Sequence, residues 1–429
     1  MIKELHISPF ARPLCVWIIG VLLQVNFSIA YESLFMLLIL WGFLFLSWAI
    51  CLETNRTVWV YEGRWIWGVT FMFMLLCVAV LQTCYVELGY CFSFVNEELL
   101  LFAAHLREIL LNHLEYLHLL EEEKAVLGTI TLGYKEGMDW EVRKQFSMAG
   151  VVHLLSVSGF HVAIVGRLIS SALFFMPRNG VGKWLRYGLT LLFLWLFVLI
   201  SGMAAPAIRA ALMITLLLTG KVLERLTERY NILFASAFCM LVYNPLYLFD
   251  VGFQLSYLAV FSILYFYPRI LRLIPVRNPL FRIPWGWIAV SVSAQLGTVG
   301  LCLYYFGEFS TVFLLANLPL TLFVTILIPV ALIWMLLPID EGWIYVGLKN
   351  VVEWLTASLF DIVKMFSQVS GATVSFRFDF ISMLTFYGIG VSICLYFHFK
   401  QIKYVWSVFL FVLILMICRM IEKNILCGI

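Results

Sequence analysis

Apolar runs close to the length of a bilayer-spanning helix recur along almost the whole chain. A helix needs about 20 consecutive apolar residues to cross the hydrocarbon core. Apolar runs of 11–26 residues cover residues 13–29, 34–52, 65–81, 187–200, 208–218, 232–242, 253–267, 285–306, 312–337, 380–399 and 405–416. A shorter run, residues 172–176, ends a helix that is predicted to begin near Val151. The pattern predicts an all-α, polytopic helical membrane protein with about 10–12 transmembrane helices.

Two further stretches have amphipathic rather than uniformly apolar periodicity. In residues 97–124, leucines recur at helical spacing against a charged face, which predicts a helix that lies in the interface or caps the bundle. Residues 342–369 have the same pattern, and this second helix is expected either on the surface or in the interior. Pro319 and Pro329 leave open whether the run 312–337 is a single span.

The composition supports the membrane assignment. Hydrophobic residues make up 63% of the 429 residues, charged residues only 12%, and the mean hydropathy is +0.99. Soluble domains are roughly 45–50% apolar and about 25% charged. The net charge of +3 is too small to indicate a nucleic-acid partner by itself.

Positive charges alternate along the chain in a way that predicts the topology. Lysines and arginines cluster in residues 178–186, 221–229 and 269–282, and the loops between these clusters carry few charges. The positive-inside rule places the three clusters in the cytoplasm. Lys3 and Arg12 predict a cytoplasmic N-terminus, and because no small-residue cleavage site follows the first run, we expect that helix to be retained.

The ten cysteines are scattered and form no C-x-x-C motif. We therefore predict no metal site and no cofactor. Cys84 and Cys91 lie close together in a loop, and whether they form a disulfide stays open, because that requires an oxidising compartment.

The most informative stretch covers residues 150–166, where apolar flanks enclose several polar groups. The polar residues and the glycine that interrupts them are His153, Ser156, Ser158, His161 and Gly159. Unsatisfied polar groups at membrane depth cost several kcal/mol each. The stretch therefore predicts a lined cavity or pathway rather than a lipid-facing span.

A single arginine stands at the start of another apolar run. Arg209 follows Gly202, a small residue that permits close helix approach, and Pro206, which breaks the helix. A guanidinium group in a low-dielectric wall requires a carboxylate or a phosphate. The alternatives are snorkelling to the interface and pairing with Asp250.

Further polar positions follow in the next runs. Asp250 and Gly252 precede a predicted helix, where a carboxylate is favoured as an N-cap. Gln254, Gln295 and Asn317 are amides in apolar surroundings, and hydrogen bonds between helices explain each one singly. Together, with little acid among them, they suit a path for a neutral or anionic substrate.

Several motifs in a fixed order resemble those of the ComEC-type competence proteins, which carry transforming DNA across the bacterial inner membrane. The resemblance covers residues 127–337. Its motifs are LG at 132–133, HLLSVSGFHV at 153–162, SG to RA at 201–210, DVGFQLS at 250–256, FG at 306–307 and NLP at 317–319.

The resemblance implies a channel in the bacterial inner (plasma) membrane, and not an enzyme, that passes single-stranded DNA into the cytoplasm. Eight residues are expected to line the channel or contact the substrate: His153, Ser156, Ser158, His161, Arg209, Gln254, Gln295 and Asn317. Seven are expected to shape the backbone: Gly133, Gly159, Gly202, Pro206, Asp250, Gly252 and Pro319.

We divide the chain into an N-terminal part with transmembrane helices and an extracytoplasmic amphipathic helix, residues 1–124, and a ComEC-like membrane domain, residues 125–429. The OB-like and metallo-β-lactamase-like domains typical of full-length relatives are not found, so the chain resembles a short form. A separate DNA receptor and nuclease are therefore expected. A separate cytoplasmic motor is expected as well, because the sequence around Lys183 is not a phosphate-binding loop.

Two other functions remain open. The same polar interior would serve a transporter of a small anionic or lipid-linked solute. A membrane hydrolase would use Ser158 with His153 or His161 as its base, but the leading glycine of a Gly-x-Ser-Gly motif is missing and no oxyanion hole is identified.

Overall fold

The computed structural model describes residues 8–28, isolated positions between 35 and 46, and residues 64–90, 96–177, 179–225, 228–276, 278–339 and 342–413. Most of the apolar run 34–52 lies outside the described residues, as do the end of the run 405–416 and Cys91.

The described residues are almost entirely helical. The first helices are α1 Ala11–Phe27, α2 Arg64–Glu87, α3 Glu97–Asn112, α4 Glu121–Leu132, α5 Trp140–Met148, α6 Gly159–Ala172, α7 Gly180–Ile200 and α8 Ala205–Val222. They are followed by α9 Arg229–Tyr243, α10 Val251–Leu273, α11 Pro279–Tyr305, α12 Phe313–Leu336, α13 Trp343–Ser367, α14 Phe380–Phe399 and α15 Lys403–Leu413. Short 3₁₀ turns occupy His113–Tyr116, Val152–Leu155 and Pro245–Phe249, and the strands are β1 Glu308–Ser310 and β2 Thr373–Ser375.

This architecture confirms the prediction of an all-α, multi-pass membrane protein. Within the described part of the chain, seven helices are long and apolar enough to cross a bilayer: α2, α7, α8, α10, α11, α12 and α14. The apolar helices α1, α6, α9 and α15 are shorter.

Two predicted helix boundaries are wrong. The helix expected from Val151 begins only at Gly159, because the chain first makes a 3₁₀ turn and Ser158 then adopts an extended conformation as the N-cap. The amphipathic helix expected over residues 97–124 ends at Asn112. A new helix starts at Glu121, where three successive glutamates suit the positive end of the helix dipole.

The prolines of the run 312–337 do not interrupt it. Pro319 and Pro329 both lie inside the single helix α12. Membrane helices tolerate prolines where neighbouring groups satisfy the carbonyl oxygens that lose their hydrogen bonds. The second amphipathic stretch forms α13, which packs along α12. β1 pairs antiparallel with β2, with Phe309 opposite Val374, and this short ladder joins the two open ends of the α12–α13 hairpin.

Five helices form a closed circuit of neighbours. α6 packs on α8, α8 on α10, α10 on α11, α11 on α12, and α12 packs back on α6. The main hydrophobic core is built from α4 to α8 together with α12 and α13. The core therefore supports the side of the circuit that contains α6, α8 and α12.

Helices α10 and α11 approach each other closely at Gly297, and we expect this contact to contribute to the stability of the protein. A Cβ atom added to Gly297 of α11 would lie 2.5 Å from the Ser262 Cβ and 3.1 Å from the Leu258 carbonyl oxygen of α10. We expect Gly297→Ala to destabilise the protein by about 1–3 kcal/mol, since the two helices must move apart. The measurement is the thermal unfolding midpoint in detergent.

Gly286 on the same helix provides the matched control. An added Cβ there would meet nothing closer than the Tyr267 hydroxyl at 3.9 Å. Gly286→Ala is expected to leave the unfolding midpoint unchanged or to raise it, because alanine is the better helix former. Equal midpoints for the two variants would contradict the close packing of α10 on α11.

Candidate functional site

The polar residues predicted from the sequence gather at one end of the five-helix circuit. Consecutive helices run antiparallel, so the turns before α8, α10 and α12 lie at the same end, together with the start of α6. We call this the polar end and define it by His153, Arg209 and Gln254. The basic clusters between α6 and α7, α8 and α9, and α10 and α11 lie at the opposite end.

Ser158 and His161 cap the start of α6. The His161 Nδ1 accepts hydrogen bonds from the Ser158 backbone N–H at 3.3 Å and from the Ser158 hydroxyl at 2.8 Å. Because the backbone N–H can only donate, the ring proton is assigned to Nε2. Capping thus accounts for the serine–histidine contact that a hydrolase would also require.

His161 is fully buried, and its Nε2 has no hydrogen-bond partner among the described residues. Its neighbour in the preceding turn is His153, whose side chain is exposed. The Ser156 hydroxyl donates to the His153 carbonyl oxygen at 3.4 Å and so stabilises the turn that presents this imidazole.

Asn317 links this turn to two helices of the circuit. Its side chain lies beside the His153 imidazole. Its Nδ2 also donates to the Ser291 hydroxyl of α11 at 2.7 Å, and its Oδ1 accepts from the Thr321 hydroxyl at 3.1 Å. Gln295 lies one helical turn beyond Ser291 on the same face of α11. His153 and Asn317, far apart in sequence, are therefore brought together.

Arg209 is only 2% exposed, which excludes snorkelling. Its Nη2 donates to the Gly252 carbonyl oxygen at 3.0 Å, and its Nε has no partner among the described residues. Asp250 caps α10 as predicted, with its Oδ1 accepting the Phe253 N–H at 2.6 Å. A Cβ on Gly252 would lie 3.1 Å from that Oδ1, so a side chain there would crowd the cap. Arg209 thus connects α8 to the start of α10.

Gln254 makes a second connection at the polar end. Its Nε2 donates to the Leu248 carbonyl oxygen at 2.9 Å, and its Oε1 accepts the Tyr305 hydroxyl at 3.0 Å. The amide therefore joins the turn before α10 to the end of α11.

Two of the predicted backbone residues have the left-handed conformation that favours glycine. Gly133 has φ of +72°, and an added Cβ would lie 2.9 Å from the Ser201 carbonyl oxygen. Gly202 has φ of +80° and stands beside the Arg107 guanidinium. Gly159 packs α6 on α8, and Pro206 lies in the first turn of α8. These residues set the close contacts at the polar end.

One face of α6 is left exposed. Phe160, Ala163 and Arg167 are exposed and follow one another at helical spacing. Val162 and Val165, on the other side of the helix, belong to the main core. The exposed stripe therefore points away from the core.

The neighbours of α6 show where this stripe faces. On one edge, an added Cβ on Gly159 would lie 3.4 Å from the Ala210 Cβ of α8. On the other edge, His161 lies beside His153, which contacts Asn317 of α12. Since α8 and α12 are the two circuit neighbours of α6, the stripe between them faces the centre of the circuit.

Arg167 is the residue that the sequence analysis missed. It lies in the middle of α6, about 12 Å along the helix axis from Gly159 at 1.5 Å per residue. A lone charge within an otherwise apolar helix was the available signal, because such charges almost always face a bundle interior or a water-filled cavity.

Residues 130–401 match the sequence profile of the competence protein family. The chain belongs to the competence protein family. The profile extends past the segment 127–337 that carried the resemblance and includes all eight polar residues predicted for the site.

A relative of this competence protein is ComE operon protein 3 of Bacillus subtilis (strain 168). The two are 31% identical over 208 residues, which are 48% of this chain and 25% of the relative. The match thus covers about a quarter of that protein's length. No solved structure matches the chain.

Proposed function

We propose that this competence protein is a membrane channel that takes up single-stranded DNA during natural transformation. The observation that carries the proposal is the α6 stripe, which turns Phe160 and Arg167 toward the centre of a five-helix circuit whose polar end is lined by amides and imidazoles. A DNA strand offers phosphates to a cation and bases to an aromatic ring.

The polar residues would divide into two roles. His153 and Arg167 are exposed and would contact the strand, and Asn317, Ser291 and Gln295 would add hydrogen-bonding groups to the wall. Arg209, His161, Ser158 and Gln254 would shape the path, because their hydrogen bonds hold the starts of α6 and α10 in place.

The charge distribution supports a direction of transport. With the three basic clusters in the cytoplasm, the polar end faces outward and the N-terminus faces inward. The strand would then enter at the polar end of a channel in the bacterial inner membrane. DNA capture, degradation of the other strand and pulling would be the work of separate proteins.

The experiment is a gene deletion in a transformable host, restored with the wild-type gene. We expect deletion to abolish both transformation and the conversion of labelled DNA to a nuclease-resistant form, and the restored gene to recover both. Normal uptake of DNA in the deletion strain would reject the channel. Loss of uptake of a small anionic solute in the same strain would then favour the solute transporter.

A further inference from the structure

A pocket of about 280 Å³ opens beside the polar end. It is lined by Tyr304, Tyr305, Arg377, Phe378 and Asp379. The first two residues end α11, and the other three connect β2 to α14. The pocket therefore combines a cation with aromatic rings at the place where the strand is proposed to enter.

Backbone and side-chain contacts hold the pocket in shape. The Phe378 N–H donates to the Leu303 carbonyl oxygen at 3.1 Å, which fixes the connecting segment to α11. The Tyr305 hydroxyl donates to Gln254, and the Tyr304 ring lies 6.3 Å from the Phe380 ring at 62°. The aromatic walls are therefore positioned by the fold and by the same amide that connects α10 to α11.

Arg377 is exposed, and its stem lies against the backbone of Gly307. A Cβ on that glycine, whose φ is +68°, would stand 3.5 Å from the Arg377 Cβ and Cγ. The glycine thus lets the arginine stem pass close to the end of α11. The exposed guanidinium can contact a phosphate, a group that arginine recognises bidentately.

We propose that this pocket binds one nucleotide of incoming single-stranded DNA, with Arg377 on the phosphate and the rings of Tyr304 and Phe378 against the base. The inference rests on the proposed DNA channel and adds a receiving site at its outer end. A volume near the lower limit of small-molecule sites, roughly 300–1,000 Å³, suits a single nucleotide and not a duplex.

Acidic groups near Arg377 shape the specificity. Asp379 caps α14, where the helix dipole partly offsets its charge, and its Oδ1 accepts the Ser382 hydroxyl at 2.5 Å. Glu308 is exposed on β1 nearby. With acids this close, a lone phosphate ion is held weakly, so base stacking must supply much of the affinity, about 1–3 kcal/mol per base in known single-strand sites.

The test uses the full chain in nanodiscs and a short oligodeoxythymidylate probe that carries a fluorescent label or 5-iodouracil. We expect the probe to cross-link to Tyr304 or Phe378. Arg377→Gln should weaken binding about tenfold and lower the slope of log affinity against log salt by about one, because one phosphate contact is lost. Arg143→Gln, at an exposed arginine of α5 outside the pocket, is the matched control and should change neither.

The outcomes separate this inference from the channel itself. If Arg377→Gln binds the probe as wild type does, or if cross-links map outside the pocket, the nucleotide site is overturned even though deletion of the gene abolishes DNA uptake. If the pocket binds the probe through Arg377 while deletion of the gene leaves DNA uptake intact, the nucleotide site is supported and the channel is rejected. Displacement of the probe by inorganic phosphate alone would assign the pocket to a free anion and overturn the inference.

Discussion

Arg167→Glu is expected to lower transformation by at least about a hundredfold while the protein stays in the membrane at normal abundance. Arg167 is exposed on the α6 face that points to the centre of the circuit. In the proposed channel, reversing its charge would place a carboxylate against DNA phosphates, and like charges brought together in this way cost several kcal/mol. Each 1.4 kcal/mol is about a factor of ten. Transformation frequency and immunoblots of membrane fractions measure the two quantities.

The control is Arg143→Glu, which makes the same charge reversal at an exposed position outside the circuit. It should transform as wild type does. Arg167→Lys should retain most activity, because it keeps the positive charge. Wild-type transformation by Arg167→Glu at normal abundance would show that the α6 stripe is not part of the DNA path.

Arg209→Ala is expected to destabilise the protein by about 2–4 kcal/mol and to reduce its abundance in the membrane. The substitution removes the hydrogen bond from Arg209 to the Gly252 carbonyl oxygen and opens a cavity between α8 and α10. The stability and membrane abundance of Arg209→Lys should lie between those of the wild type and of Arg209→Ala, because lysine keeps a charge and a donor but not the planar guanidinium. Thermal unfolding in detergent and membrane abundance are the measurements.

Arg272→Ala, at an exposed arginine of the last turn of α10, controls for the loss of a positive charge and should unfold as wild type does. If Arg209→Ala keeps the wild-type unfolding midpoint and abundance but abolishes transformation, the guanidinium acts on the substrate and not on the packing of α8.

The sequence predicted those features that depend on local patterns. Apolar runs located the helices, and a carboxylate before a helix start identified the Asp250 cap. The start of α6 was misplaced by several residues because an apolar 3₁₀ turn has no periodicity that distinguishes it from helix. The site residues themselves were selected by polarity, and their function stays a prediction.

Features that depend on tertiary packing could not be predicted from the sequence. The exposed side of Arg167 is decided by which helices flank α6, and the spacing of residues within α6 does not contain this information. The pocket joins Tyr305 to Arg377, whose separation in sequence includes the whole α12–α13 hairpin. The proximity of Asn317 to the His153 ring likewise could not be predicted without the fold.

The β1–β2 ladder has a mechanical consequence for the circuit. Because it ties both open ends of the α12–α13 hairpin together at one place, any tilt of the hairpin would move these two ends together and would displace them least. Asn317 lies near this place and the far end of α12 lies well away from it, so a small tilt changes the width of the circuit mainly at the basic end. Arg377 follows the ladder closely, so during such a tilt the pocket that it lines would stay near its place while the width of the proposed passage changed at the basic end.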